Sequence, residues 1–215
     1  MSVFSRRFVV GIDEAGRGPL AGPVSVGVSV LKRRRLRVAR RRFRGLKDSK
    51  KLSEAAREAF VRTMRRAARE GLLRFSVALV GNQTIDRCGI VAAVNIAMRR
   101  ALLRLRVAPE RCEVLLDGAL RAPKAFTRQK TIIGGDATKF PIMLAAVAAK
   151  VRRDRSMRRL ARRYPKYSFE IHKGYGTALH YRRIRRYGLS PVHRRTFLKK
   201  IVKNVNLKMK SDSVE

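Results

Sequence analysis

Four acidic residues stand out in a chain that contains few acids. Asp13 and Glu14 follow a short apolar run, Asp117 ends a second apolar run, and Asp154 lies in a helical segment that begins rich in alanine. Carboxylates that are brought together repel one another unless a cation neutralises them, and such oxygen ligands suit Mg²⁺ or Mn²⁺. Each acid could equally pair with one of the many arginines. The residues alone therefore leave a divalent metal site and dispersed ion pairs as alternatives.

A glycine-flanked arginine directly follows the first two acids. Gly16, Arg17 and Gly18 place backbone N–H groups and a guanidinium beside Asp13 and Glu14. Such groups can grip a phosphate or a sugar hydroxyl next to a metal. A tripeptide of this type is also common in ordinary turns. The segment is therefore a candidate substrate contact, and a plain turn is its alternative.

A second candidate contact lies near the end of the chain, where Tyr175 is flanked by glycines in the segment 172–177, which also carries Lys173. An aromatic ring among cations can stack on a sugar or a base, although a lone loop tyrosine often only packs. Lys50 can contact a backbone phosphate or lie solvated in its loop. The histidines and cysteines are not spaced as zinc ligands, so we expect no zinc site.

The charge balance predicts a polyanionic partner. The 215 residues include 53 Lys and Arg against 15 Asp and Glu, which gives a formal net charge of +38, and 45% of the residues are hydrophobic. A chain of this length and composition can bury a core as one domain. Its positive field attracts phosphate at long range, which favours a nucleic acid.

The sequence also predicts a cytoplasmic protein. Cys88 and Cys112 are too few for a disulfide scaffold and are expected to be reduced thiols. The longest uncharged apolar stretch of helical character, residues 142–149, is too short to cross a bilayer, and the first residues lack the apolar core of a signal peptide. We therefore expect no membrane partner.

Hydrophobic periodicity predicts an α/β domain. A buried run at residues 8–12 and alternating valines at 24–30 predict an antiparallel hairpin. Residues 32–44 carry three basic runs and predict an exposed edge strand or a basic loop. The other predicted elements are helices at 53–69, 90–105 and 141–164 and strands at 72–80 and 114–118. This order of elements implies a mixed sheet.

The motif around the first acids resembles the signature of ribonuclease HII, the type 2 ribonuclease H family. It reads GIDEAGRGPLAGP at residues 11–23. The resemblance continues in order and covers nearly the whole chain from residue 8 to about 197. The further motifs are DSKKLS at 48–53, LDG at 116–118, GD at 135–136, AKVRRD at 149–154, HKGYGT at 172–177 and HRRTF at 193–197.

The resemblance implies a ribonuclease H-like fold, a mixed sheet flanked by helices, with a short helical basic C-terminal segment. Residues 1–190 would form the catalytic domain, and residues 191–215 would form the basic segment packed on it. The implied activity is that of an endoribonuclease, acting as a monomer. It would hydrolyse the RNA strand of RNA–DNA hybrids and incise on the 5′ side of single ribonucleotides embedded in duplex DNA. The ends left would be a 5′-phosphate and a 3′-hydroxyl.

The resemblance also implies a metal site. Carried over residue by residue, it makes Asp13, Glu14, Asp117 and Asp154 the metal-binding and catalytic carboxylates. Two divalent ions, Mg²⁺ or Mn²⁺, would be held there during catalysis. A pair of ions about 4 Å apart can both activate a water and stabilise the leaving oxygen.

The implied substrate contacts surround the metal site. The glycine-flanked arginine would read the 2′-hydroxyl and the adjoining backbone, and the tyrosine would lie against the sugar where RNA meets DNA. Apart from the resemblance, the charges of Lys50 and Lys173 make them candidate contacts to phosphates. The expected substrate-binding residues are Gly16, Arg17, Gly18, Lys50, Lys173 and Tyr175.

Two positions depart from the pattern of the family. Gly134 stands where relatives often carry a lysine, and Ala146 lies in a stretch where they tend to carry a serine. Both changes remove polar groups near the expected site, so they bear on how the substrate is positioned.

The charge by itself fits another class of protein, a non-catalytic basic nucleic-acid binder on the same fold. Such a binder has no need of acids at the four positions named above, because each acid would repel the phosphates that it holds unless a metal is present. The acids therefore favour the enzyme.

Overall fold

The computed structural model describes residues 7–46 and 51–199 and shows a five-stranded mixed sheet with helices on both faces. The strands are β1 (Phe8–Ala15), β2 (Val24–Lys32), β3 (Leu73–Val80), β4 (Cys112–Asp117) and β5 (Gln129–Ile132), in the spatial order β3-β2-β1-β4-β5. The helices are α1 (Leu36–Arg42), α2 (Glu54–Arg69), α3 (Asn82–Arg104), α4 (Gly135–Thr138), α5 (Phe140–Arg163), α6 (Phe169–His172) and α7 (Ala178–Tyr187). Four short 3₁₀ turns lie at Arg33–Arg35, Pro109–Arg111, Pro165–Tyr167 and Arg195–Leu198.

Strand direction decides which residues meet at the edge of the sheet. β1 pairs antiparallel with β2, as the predicted hairpin requires, and β2 pairs antiparallel with β3. β1, β4 and β5 run parallel to one another. The carboxyl ends of parallel strands lie at the same edge, so the residues that end these three strands share one rim of the sheet.

Helix α5 lies directly on the hairpin because two glycines leave room for its backbone. A Cβ atom on Gly11 would lie 2.1 Å from the carbonyl carbon of Pro141, and one on Gly27 would lie 2.2 Å from the oxygen of Ala145. The hydroxyl of Ser29 donates a hydrogen bond of 2.7 Å to the carbonyl oxygen of Pro141. The predicted helix at 141–164 is thus confirmed, and its depth on the sheet is set by residues of β1 and β2.

The basic stretch at 32–44 forms neither an edge strand nor a loop. It folds as a 3₁₀ turn followed by α1. Leu36, Ala39 and Phe43 are spaced for one helical face and pack on the core formed with Phe140 and Leu144, while the arginines point outward. The helical spacing of these apolar residues, which lets them pack on the core, determines the structure of this stretch. The prediction of an edge strand or a loop, which rested on its charges, was wrong.

The helices predicted at 53–69 and 90–105 are confirmed apart from their ends, whereas α4, α6 and α7 were not predicted. The hydroxyl of Ser53 accepts a hydrogen bond from the N–H of Ala56, which confirms the predicted cap of α2. α3 begins earlier than expected, at Asn82, and is kinked at Gly89, where φ is +80°. Among the described residues, no helix is long and apolar enough to cross a membrane.

Residues 191–199, the described part of the basic C-terminal segment, pack against the first half of α3. The side-chain amide of Asn82 donates to the carbonyls of Pro191 and His193, at 2.9 and 3.1 Å. The carboxylate of Asp86 accepts hydrogen bonds from the backbone N–H groups of Arg195 and Thr196. Residues 200–215 lie outside the described part of the chain, and the boundary at residue 190 stays a prediction.

The packing of α5 predicts that Gly27→Ala destabilises the protein. The added methyl group would meet helix backbone, which cannot rotate away, so we expect a loss of about 1–3 kcal/mol in the free energy of unfolding. Urea unfolding measures this loss. Gly81→Ala is the control, because a Cβ there meets nothing within 4 Å, and equal losses in both variants would contradict the proposed packing.

Candidate active site

Three carboxylates meet at the rim where the parallel strands end. One oxygen of each of Asp13, Asp117 and Asp136 lies within 4.8 Å of the others. Asp13 is near the end of β1, Asp117 ends β4, and Asp136 lies in α4, just after β5. The backbone N–H of Asp136 donates to a carboxylate oxygen of Asp117 at 3.3 Å, which holds α4 against the end of β4.

Glu14 lines the same cavity as the three aspartates. This cavity, of about 270 Å³, is also lined by the loop at residues 15–18, by Ala146 and Lys150 of α5, and by Tyr175. A carboxylate oxygen of Glu14 lies 3.4 Å from the guanidinium of Arg17. Burial raises the pKa of Glu14, and Arg17 opposes that rise.

Burial and mutual repulsion of the carboxylates favour a bound cation in the cluster. Asp13 is almost fully buried, and burial raises its pKa well above the usual range. Repulsion from Glu14, Asp117 and Asp136 raises it further, while the N–H of Glu14, which donates to Asp13 at 2.7 Å, lowers it. A group of carboxylate oxygens, two of the three aspartates being buried, matches the ligand set that hard divalent cations prefer, so the residues present fit Mg²⁺ or Mn²⁺.

Asp154, the fourth expected ligand, does not belong to this cluster. Its carboxylate, 2% exposed, lies 2.7 Å from the ammonium of Lys150 and 3.6 Å from the guanidinium of Arg57. One helical turn separates Lys150, which lines the cavity, from Asp154, and that turn carries Asp154 about 6 Å further along the axis of α5. Asp154 therefore binds the ammonium of Lys150 at the cavity wall. Asp136, in place of Asp154, supplies the third aspartate of the cluster.

Asp136 belongs to the GD motif at residues 135–136, for which the sequence predicted no role, although its position carries a further signal. Gly135 and Asp136 come shortly after β5, just as Asp13 and Asp117 come at the ends of β1 and β4. β5 has only four residues, and its polar sequence QKTI shows no strand pattern. Because the strand was not predicted, the acid after it was not recognised as a strand-end acid.

Four of the six expected substrate-binding residues line the cavity. Gly16, Arg17, Gly18 and Tyr175 line the cavity with the acids. Lys173 is not among the lining residues; its ammonium lies 3.4 Å from Glu54 and donates to the carbonyl of Glu170. Lys50 falls outside the described residues. Of the departures from the family pattern, Ala146 lines the cavity, and Gly134 precedes α4 with φ at +66°.

Three buried histidines support the loop that carries Tyr175. His172 stacks on His180, with ring centroids 4.2 Å apart, and the Nε2 atoms of His180 and His193 lie 3.0 Å apart and share a hydrogen bond. His180 Nδ1 bonds the carbonyl of Tyr175, and the N–H of Gly174 donates to His172. Burial lowers the pKa of His180 and His193 to about 4, so both are neutral at pH 7 and act as hydrogen-bonding supports.

The chain as a whole is similar to known proteins. The sequence profile of the family described as Ribonuclease HII matches residues 10–203, which is most of the chain. The chain belongs to the ribonuclease HII family. Family membership makes the protein a metal-dependent endoribonuclease that acts on RNA–DNA hybrids. It does not support the hypothesis of a non-catalytic nucleic-acid binder.

Individual ribonucleases HII are similar over nearly the full chain. That of Chlorobium luteolum is 45% identical over 189 residues, which cover 88% of each protein. That of Clostridioides difficile strain 630 is 41% identical over 195 residues, which cover 91% of this chain and 71% of the relative. The crystal structure of the ribonuclease H2 from Pyrococcus horikoshii OT3 has a TM-score of 0.70 at 26% identity and covers 93% of this chain and 99% of that one. The expected ribonuclease H-like fold is thereby confirmed.

The crowding of acids predicts that Asp13→Asn stabilises the metal-free protein. A carboxyl whose pKa is raised by folding contributes stability that is lost as the pH rises from its unfolded value of about 3.9. The amide is neutral throughout, so its advantage over wild type should grow between pH 4 and pH 8. Urea unfolding in a chelator measures this difference.

Added Mg²⁺ should make the wild type more stable than Asp13→Asn. The cation binds the folded wild type by neutralising its acids, and it binds the variant, which lacks one of these acids, more weakly. A metal-free Asp13→Asn protein that is less stable than wild type at pH 8 would contradict the repulsion described above.

Proposed function

We propose that this ribonuclease HII incises duplex DNA on the 5′ side of single embedded ribonucleotides, besides hydrolysing the RNA strand of RNA–DNA hybrids. The products would carry 5′-phosphate and 3′-hydroxyl ends. One observation carries the proposal: the acid cluster shares its cavity with the Gly16–Gly18 loop and with Tyr175. Metal ligands and groups suited to recognising a sugar therefore lie within the reach of one nucleotide.

The metal ligands that the geometry supports are Asp13, Asp117 and Asp136, with Glu14 beside them. Two divalent ions, Mg²⁺ or Mn²⁺, would supply activation of the attacking water and stabilisation of the leaving 3′ oxygen. The carboxylates would hold the ions, and the burial of Asp13 and Asp136 limits access of bulk water. Asp154 has a different role in this proposal, because it fixes the ammonium of Lys150.

The cations of the cavity wall would hold the scissile strand. Lys150 is tied to Asp154 yet lines the cavity, so its ammonium is placed to face a phosphate beside the acids. Arg17 lies at the border between the acids and the loop and can contact the adjoining phosphate. Lys50 and Lys173 remain proposed contacts to the more distant backbone.

Selection of a ribonucleotide would rest on one hydroxyl. Backbone N–H groups of the Gly16–Gly18 loop can bond the 2′ oxygen, and a deoxyribose would leave these donors without that partner. The exposed face of Tyr175 would contact the sugar. The proposed substrate is a hybrid or a ribonucleotide-containing duplex, which a single copy of the chain would bind.

The test compares Asp136→Asn with Asp154→Asn. A labelled DNA duplex with one ribonucleotide, an all-DNA duplex and an RNA–DNA hybrid are incubated with Mg²⁺, Mn²⁺ or a chelator. Wild type should cut the first on the 5′ side of the ribonucleotide and leave the second intact. Asp136→Asn should lose at least about 100-fold in rate, since changes even to the partners of metal ligands cost 10- to 100-fold.

Asp154→Asn should lose less of the cleavage rate than Asp136→Asn, and its cleavage should still depend on metal, because Lys150 remains on the helix face that lines the cavity. Equal losses in the two variants, or a loss of metal response in Asp154→Asn alone, would contradict the proposed ligand set. Cleavage of hybrids without cleavage at single ribonucleotides would contradict the proposed specificity.

A further inference from the structure

Two fully buried arginines lie behind the loop that we propose reads the sugar. Arg153 of α5 and Arg194 of the C-terminal segment both have no solvent exposure. Within residues 7–46 and 51–199, neither guanidinium forms an ion pair with a carboxylate inside 4 Å. A buried cation without an acid is costly unless its donors are satisfied in another way. What they bind instead shows what they do.

Both guanidiniums bind main-chain carbonyls of the segment 16–23. Arg194 donates to three oxygens: Gly16 at 2.7 Å, Arg17 at 2.8 Å and Gly22 at 3.0 Å. Arg153 donates to Pro23 at 3.0 Å and to Ala21 at 3.4 Å. The start and the end of the loop are therefore tied to two planar cations at its back.

These bonds determine where the N–H groups of the loop point. The described peptide bonds are all trans, so each C=O is antiparallel to the N–H of the next residue. Because the carbonyls of Gly16 and Arg17 face Arg194, the N–H groups of Arg17 and Gly18 point away from it. In the described chain neither of these N–H groups donates a hydrogen bond, and both residues line the acid cavity. They are two adjacent donors that have no partner within residues 7–46 and 51–199.

Arg153 also sets the distance between the loop and the tyrosine. Its guanidinium carbon lies 5.5 Å from the centroid of the Tyr175 ring, in a cation–π contact. A Cβ on Gly16 would lie 1.9 Å from its Nε, so the loop backbone rests directly on the side chain. One arginine thus supports both elements that would face the ribose.

We propose that Arg194 and Arg153 are positioning residues for ribonucleotide selection, holding the N–H groups of Arg17 and Gly18 and the ring of Tyr175 ready for a 2′-hydroxyl. This inference rests on the proposed function. The two cations act through the loop and do not touch the nucleotide. Donors fixed before binding lose little freedom when the sugar arrives, so a missing hydroxyl costs the full loss of their partner.

Arg194→Lys is the informative variant. A lysine keeps a positive charge but cannot reach three carbonyls with a rigid planar fork. The segment around it has independent anchors, because Asp86 holds the N–H groups of Arg195 and Thr196. Arg185→Lys, at an exposed position of α7, is the matched control.

The measurement is the affinity of each protein, in a chelator that prevents cleavage, for a duplex with one ribonucleotide and for the all-DNA duplex of the same sequence. Wild type and Arg185→Lys should prefer the ribonucleotide. In Arg194→Lys this preference should shrink about 10-fold, the value of one to two hydrogen bonds, while affinity for the all-DNA duplex stays within about 2-fold of wild type. A purely structural role would weaken both alike.

A second readout does not depend on the variant folding. In ¹⁵N-labelled wild type, the amide signals of Arg17 and Gly18 should move on addition of the ribonucleotide duplex and stay in place with the all-DNA duplex. Unchanged amides, or an unchanged preference in folded Arg194→Lys, would overturn the assignment of these residues. A wild type with no preference at all would overturn the proposed function and this inference together, so the two failures are distinguishable.

Discussion

The contact between α5 and the β1–β2 hairpin determines the layout of the cavity. Gly11 and Gly27 let the helix backbone lie against the strands with no side chain between them. An α-helix rises 1.5 Å per residue and does not bend easily, so its depth and register on the sheet fix the side chains further along it. Lys150 then lies on the cavity wall, and Arg153 lies behind the loop that follows β1. A larger residue at either glycine would shift both cations relative to Asp13.

The three aspartates of the cavity are kept apart from the two buried arginines. Two parallel strands and α4 hold three aspartates close together, and burial and mutual repulsion raise the pKa of Asp13. Behind the loop, two buried guanidiniums donate to main-chain carbonyls and, among the described residues, form no ion pair with these acids. Had Arg153 or Arg194 paired with the acids, both the metal site and the outward N–H groups would be lost. Arg17 is the one charged side chain of the loop at the border, 3.4 Å from Glu14.

Much of this layout could be predicted from the sequence, and the failures have a common cause. Asp13 and Asp117 end apolar runs that are recognisable as buried strands, so their convergence follows from parallel pairing. Asp136 lies in α4, shortly after a short polar strand that carries no such pattern, while Asp154 is four residues from Lys150 on a clear helix. Whether Asp136 or Asp154 joins the cluster depends on the depth and register of α5 on the sheet. That depth is set by close contact between backbones at glycines, which the periodicity of apolar side chains barely indicates. Arg194 was hidden for another reason: in a chain with 53 basic residues, composition does not distinguish a buried arginine from a solvated one.

The most direct test is the location of bound metal. Crystals of the wild-type protein soaked in Mn²⁺ and measured at a wavelength where manganese scatters anomalously would show which oxygens hold the ion. We expect the anomalous peak to lie against the carboxylates of Asp13, Asp117 and Asp136, with Asp154 still bound to Lys150. A peak coordinated by Asp154, with Asp136 turned away, would contradict the ligand set that the strand ends define.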